Sequence, residues 1–541
     1  MIWLKRHQFL VCALLTGLFL MALVSYYLVF SDTWFDETDH AYKAWLTAED
    51  LAFPFQDFAL KYGPIGFYSQ VLWQWLFGPS VLAPRVLSIL FLFGLLALVF
   101  DLLRRRSGRW LGLIGVAFLV FHPYLIGKYV AGTPYSLIAF FLVLSLWFWS
   151  LDRQSLRWRI ILSSAAMALA ALVRYNLLPV LVLWWLFIWL KTGRFKNFLL
   201  SLFASIVVSG LGWSPYALID WEYAASVILV MFGPLATALP LPFFQLSGGV
   251  GASNGTFFVS LFSESRFKLL FNVLTTYYPF FVLFLAGIIS LFCRYWGKIR
   301  ILWREQAELI FLIVSVVVIF LTHFFLGPLQ HKIYSLYFAP FLVLAISFLL
   351  PFLYRENLRS IYATVLISVF ALTPISVAIS GNDIIFFNRW NYQDSDLVRI
   401  RRGGEYLASL TSPDDLVLTI DNPDQVFLAG RLMVPERINR HDTYSSSTNR
   451  ELLKRFARYN TEMFLHWLKT DADLFVAQKD ARRARLEPIA GERGTTTMVA
   501  EVEAILAERY ELVGQIAGVY PRKETRGSGV MEIYRRLLIK K

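Results

Sequence analysis

Long runs of apolar residues dominate the chain. Leu10 to Phe30, Val81 to Val99, Phe198 to Leu218, Phe311 to Leu326 and Ile333 to Leu350 are nearly charge-free, and several approach the ~20 residues a helix needs to cross a bilayer core. One charge at the centre of such a helix costs about 2.5–3.5 kcal/mol on insertion scales, so runs this frequent imply lipid as the solvent. The pattern predicts about eleven membrane helices, over 9–30, 81–103, 110–126, 134–151, 159–173, 177–191, 198–218, 270–293, 307–326, 333–354 and 360–380. The first follows Lys5 and Arg6 but is too long for a signal peptide and lacks an A-x-A-like site, so it reads as a retained helix. Ala224 to Phe244 is apolar but interrupted by Pro234, Pro240 and Pro242, and reads as interfacial or re-entrant.

After residue 380 the pattern changes to frequent Asp, Glu, Arg and Lys, with shorter apolar segments. Two units follow: a membrane domain over 1–380, with long extracytoplasmic loops at 31–80 and 220–268, and an extracytoplasmic α/β domain over 381–541. In the second unit Asp415 to Ile420 and Asp473 to Gln478 read as buried strands. Residues 449–469 read as an amphipathic helix, and the end of the chain as a hairpin around Gly527 to Gly529. No internal repeat of fixed period is visible.

Composition agrees: 57% hydrophobic and only 16% charged residues exclude an ordinary soluble enzyme. A net charge of +13 would suit nucleic acid, but the basic residues alternate from loop to loop as a topology signal. Lys5 and Arg6, then Arg104, Arg105, Arg106 and Arg109, then Arg153, Arg157 and Arg159, then Lys191, Arg194 and Lys196, then Arg294, Lys298, Arg300 and Arg304, then Arg355 and Arg359 form the rich set. Placing that set inside puts the N-terminus in the cytoplasm and the terminal domain outside a cytoplasmic (inner) membrane, with no role for nucleic acid. Cys12 and Cys293 lie far apart in apolar spans and suggest neither a disulfide nor a cysteine metal site.

Candidate chemistry concentrates just after the first span, where Asp36 and Glu37 stand side by side at the membrane edge. A carboxylate there suits a general base or a metal ligand, and it equally suits a solvated helix cap. His40 lies four residues on and would share a helical face with Asp36; with Glu264 and His331 it forms a candidate divalent-metal set, against the reading of a structural histidine. The aromatic segment after Gly63-Pro64 suits the bilayer interface. Arg174, Lys332 and Lys128 are isolated cations in charge-poor outer loops or helix ends, positions that serve function, pairing or snorkelling. Gly-rich phosphate loops, zinc spacings and Ser-His-Asp signatures are absent.

Asp36-Glu37 followed by Tyr42, the Gly63-Pro64-Ile65 break, Gln74 to Gly78 and Arg85 opening the second helix together resemble the first outer loop of the C-type (GT-C) glycosyltransferases. The branch is that of protein mannosyltransferases, lipid A aminoarabinose transferases and lipopolysaccharide galacturonosyltransferases, and Tyr129 to Phe141, Ala170 to Pro179 and His331 to Pro340 extend the likeness along the chain. The resemblance implies inverting transfer of a sugar from a polyprenyl-phosphate donor to a lipid, glycan or protein acceptor. Asp36, with Glu37 beside it, would act as base or orient the acceptor; Arg174, Lys332, Lys128 and Tyr334 would hold the donor phosphate; Tyr42, Lys61, Tyr62 and Arg85 would belong to the acceptor and lipid loop. Two positions depart from the pattern: Thr133 precedes Pro134 where many relatives carry a second acid, and Tyr62-Gly63 replace a Lys or Glu-Lys. A transporter or flippase, and a degenerate scaffold that presents a binding domain, are the alternative classes.

Overall fold

The computed structural model describes residues 2–30, 35–54, 63–230, 270–271, 273–322, 335–353, 395–420, 423–434, 459–479, 495–520 and 529–537. Lys61, Tyr62, Glu264, His331, Lys332, Tyr334 and the helix expected over 360–380 lie outside the described residues.

The described residues of the membrane part are mostly helical. Among the described residues six helices are long and apolar enough to cross a bilayer: His7–Val29, Leu82–Ser107, Leu156–Val173, Tyr175–Thr192, Phe195–Ser214 and Leu336–Leu353. Arg109–Val120 and Tyr124–Val130 make a seventh span if the pair counts as one, bent by 78°. Shorter apolar helices cover Tyr135–Trp149 and Tyr278–Arg294, and Ile299–Leu321 enters through a charged turn. The chain is therefore an integral membrane protein.

Two expected boundaries move. The helix foreseen over 110–126 breaks at His122-Pro123: Pro123 cannot continue the hydrogen-bond ladder, and the His122 ring accepts from Leu125 N at 3.4 Å to start a new helix, Pro123–Val130, which carries Lys128. The helix foreseen over 198–218 instead spans Phe195–Val230, so the first part of the second long loop is helical.

Glu308 gathers the arginine-rich junctions at one end of the bundle. It accepts from Lys191 at 3.4 Å, pairs with Arg106 at 3.8 Å and receives Trp149 Nε1 at 3.5 Å. The start of Leu82–Ser107 lies at the other end, because 26 residues at 1.5 Å rise extend about 39 Å.

That other end is organised around Arg85. Its side chain is fully buried, with Nε donating to Glu37 Oε1 at 2.6 Å and Nη2 to Glu37 Oε2 at 2.9 Å. Its third nitrogen donates to the carbonyls of Leu28 (2.9 Å) and Tyr27 (3.4 Å), capping the last turn of the first helix, Ile2–Phe30. Glu37 also accepts from the backbone N–H of Gly132 at 2.7 Å, and the carbonyl of Gly132 accepts from Gln70 Nε2 at 2.9 Å. One guanidinium thus joins the end of the first helix, the helix Phe35–Ala48, the head of Leu82–Ser107 and the turn before Tyr135–Trp149.

The terminal domain is α/β. Its sheet runs β2-β1-β3-β5-β4, with β1 Leu416–Thr419, β2 Leu432–Met433, β3 Leu474–Gln478, β4 Tyr510–Ala517 and β5 Val530–Arg536. β1 pairs in parallel with β2 and β3, and β5 runs antiparallel to β3 and β4. Both expected strands are present, and β3 is buried along its whole length as the central strand. The antiparallel β4 and β5 correspond to the expected hairpin. Of the helix expected over 449–469, the described part is Thr461–Thr470, where Asn460 is extended and its side chain accepts from Met463 N at 2.9 Å as an N-cap; 449–458 lie outside the described residues.

Removing Arg85 would leave a buried carboxylate without its counter-charge. Arg85→Ala is expected to destabilise the folded state by about 3–5 kcal/mol, read from unfolding in detergent micelles. A Cβ at Gly132 would sit 2.6 Å from Glu37 Oε1 and 2.9 Å from Pro84 Cβ, so Gly132→Ala is expected to destabilise by about 1–3 kcal/mol in the same measurement.

Candidate functional site

The short helix Phe35–Ala48 carries the acidic pair and is polar, yet nearly all of its described side chains are buried. Helical spacing sorts its residues into faces. Asp36, Asp39, His40 and Lys43 fall at i, i+3, i+4 and i+7 on one face. Within it Lys43 Nζ donates to Asp39 Oδ2 at 3.0 Å, with both residues buried. Glu37 points away into Arg85, and the buried ion pair fixes the helix's rotation about its axis.

A further face docks on the terminal domain. The backbone N–H of Met433 in β2 donates to the Tyr42 hydroxyl at 2.8 Å. The ring of Phe427, in the short helix Asp424–Leu428, lies 6.0 Å from Tyr42 and 6.1 Å from Trp45, centroid to centroid. Burial pushes the Tyr42 phenol well above the usual tyrosine range, so it stays protonated. Tyr42, expected in an acceptor loop, here joins the acidic helix to the outer domain.

The Gly63-Pro64 break is the start of the helix Pro64–Phe77, with Gly63 as N-cap and Pro64 in the first turn. Gly63 N donates to Val173 O at 3.0 Å, and a Cβ at Gly63 would lie 1.6 Å from Leu172 O, so a larger residue cannot occupy the position. This close approach sets the helix against the end of Leu156–Val173, whose C-cap is Arg174, buried and in extended conformation. Phe35–Ala48 packs in turn on Pro64–Phe77. Lys128 lies on the short helix just before Gly132, the glycine bound to Glu37. Arg174 and Lys128 are thus each linked to the acidic helix through one intervening segment.

Of the expected metal set only His40 is described; it is buried on the acidic helix. Among the described residues no three His, Cys, Asp or Glu side chains come together as a metal site. Thr133 is buried, with its carbonyl accepting from Ser88 Oγ at 3.2 Å. Sequence reasoning did not single out the Asp39–Lys43 pair, whose i, i+4 spacing was a usable signal, nor Gly132 and Gln70, whose roles depend on contacts far apart in the chain.

No protein-family model matches this chain, and no curated protein matches it by sequence. Solved structures do. ArnT from Cupriavidus metallidurans bound to undecaprenyl phosphate is similar at TM-score 0.55 and 12% identity, over 97% of this chain and 98% of ArnT. The same protein in its apo state is similar at TM-score 0.55 and 13% identity, over 96% and 97%. The Archaeoglobus fulgidus oligosaccharyltransferase AglB, in complex with an inhibitory peptide and a dolichol-phosphate, is similar at TM-score 0.51 and 14% identity, over 100% of this chain and 75% of AglB. A likeness that takes in both the membrane helices and the terminal domain identifies the fold of this chain as the GT-C fold.

Proposed function

We propose that the protein is a membrane glycosyltransferase that moves a sugar from a polyprenyl-phosphate donor to an acceptor hydroxyl at the extracytoplasmic face. The observation that carries this reading is the clamp of Arg85, Glu37 and the Gly132 amide, which holds the acidic helix in one orientation at the end of the bundle away from the arginine-rich junctions. The positive-inside rule makes those junctions cytoplasmic, in the inner membrane, and the acidic helix extracytoplasmic. The polyprenyl-phosphate donor is inferred from the fold, since ArnT and AglB were solved with undecaprenyl phosphate and a dolichol-phosphate respectively.

The roles follow from the resemblance and from the clamp. Glu37 is committed to Arg85 and Gly132, so it positions the helix. Asp36 is the base. As the acceptor oxygen attacks the anomeric carbon, its proton passes to Asp36, the bond from that carbon to the phosphate oxygen breaks, and the electron pair leaves with the lipid phosphate. Attack opposite the leaving group inverts the anomeric centre. Arg174 and Lys128, with Lys332 and Tyr334, stabilise the negative charge that builds on the phosphate. Tyr42 ties the helix to the outer domain.

Purified protein in lipid nanodiscs, given labelled undecaprenyl-phosphate sugars, is expected to form a covalent glycosylated product. Asp36→Asn is expected to slow that transfer by about 10²–10⁴. Undiminished transfer would remove Asp36 from the role of base, and flux of the sugar lipid across the bilayer without a product would favour a flippase.

A further inference from the structure

The helix Pro64–Phe77 has inverted polarity. Against the described residues Tyr68, Leu72, Trp75, Leu76 and Phe77 are exposed, whereas its two glutamines, Gln70 and Gln74, are buried. Positions 68, 72, 75 and 76 stand at i, i+4, i+7 and i+8, a single stripe along the helix. A contiguous exposed apolar stripe of this kind marks an interaction surface. The next helix shows what solvent such a surface meets: Leu82, Val86, Leu90 and Phe93, at i, i+4, i+8 and i+11, are exposed along the start of the membrane span Leu82–Ser107. Only residues 78–81 separate the two helices, and Gln74 fixes that turn. Its Nε2 donates to Ser80 O at 2.8 Å and its Oε1 accepts from Ser80 N at 3.1 Å.

Fourteen residues at 1.5 Å rise extend only about 21 Å, short of the ~30 Å hydrocarbon core, so this helix does not span. One apolar and aromatic face opposite a polar one suits the interface between acyl chains and headgroups. The helix carries no charged residue, so its affinity for that interface comes from apolar area and owes nothing to headgroup charge. Its inner face reaches the candidate site at two points. Gln70 Nε2 donates to the carbonyl of Gly132, whose own N–H donates to Glu37. Gly63, the N-cap, donates to Val173 O, next to Arg174.

We propose that the helix Pro64–Phe77 is a lever seated in the bilayer: its aromatic stripe docks into the outer-leaflet interface, and Gln70, through Gly132, holds Glu37 and the acidic helix in place. Gln70 is a positioning residue in this arrangement. The choice of leaflet rests on the sidedness proposed above, whereas the lipid contact and the chain of hydrogen bonds stand without it.

The docking is tested on the full chain with Cys12→Ser and Cys293→Ser, in nanodiscs of zwitterionic or partly anionic lipid, with a nitroxide on Leu72→Cys or Leu76→Cys. Its accessibility to oxygen and to a water-soluble nickel chelate is expected to place the label about 5–10 Å below the phosphates, equally in both lipids. A label open to the nickel chelate would overturn the docking, and so would one shielded from both reagents, which would mean that protein covers the stripe. The lever is read by hydrogen exchange in peptides covering residues 128–137. Trp75→Asp with Leu76→Asp, which drives the stripe out of the interface, is expected to speed exchange of the Gly132 amide about tenfold, and Gln70→Leu is expected to do the same with the label depth unchanged. Unchanged exchange in either variant would overturn the lever, as would a rise that extends equally over Leu82–Ser107, which would mean general unfolding. Neither readout requires sugar transfer, so failure of the transfer reading would leave both results intact.

Discussion

Arg85 is the side chain on which this end of the molecule depends. A guanidinium offers five donors in a rigid plane, and four contacts here reach two separate segments: two to Glu37, and one each to the carbonyls of Tyr27 and Leu28 at the end of the first helix. Burying the ion pair carries a desolvation penalty that good geometry and additional hydrogen bonds must offset, and both are present. The bidentate pairing meets the first requirement, and the Gly132 amide on Glu37 meets part of the second. Gly132 has no side chain because Glu37 and Pro84 occupy the space where a Cβ would stand.

The same clamp accounts for a helix that composition alone would place in water. Phe35–Ala48 has a strongly polar face and lies buried between the membrane helices and the outer domain. Each of its faces has a different neighbour: Glu37 meets Arg85, Tyr42 and Trp45 meet Phe427 and β2, and Asp39 is neutralised within the helix by Lys43. Rotating the helix by one residue would break the Arg85 and Phe427 arrangements together.

Much of the membrane part was legible in the sequence because a lipid solvent makes the hydrophobic signal strong: ten of the eleven expected spans coincide with a described helix, and the eleventh, over 360–380, lies outside the described residues. The parts that escaped depend on local punctuation or long-range contact. His122-Pro123 bends a run that periodicity reads as continuous, and Asn460 caps the helix Thr461–Thr470 inside a stretch that periodicity reads as one run. The acidic pair was visible as a pair, but the partner of Glu37 was not, since Arg85 lies 48 residues away. Tyr42 shows the same limit, since its partner Met433 lies 391 residues away.

The central claim is that Glu37 and Arg85 act as one unit that positions the acidic helix. A double-mutant cycle with Glu37→Gln, Arg85→Met and the paired variant tests it most directly, with stability read from unfolding in detergent. The account predicts that the pair is less destabilised than the sum of the single variants, with a coupling of about 0.5–3 kcal/mol. Strictly additive losses would contradict it, because they would mean that the two side chains contribute independently.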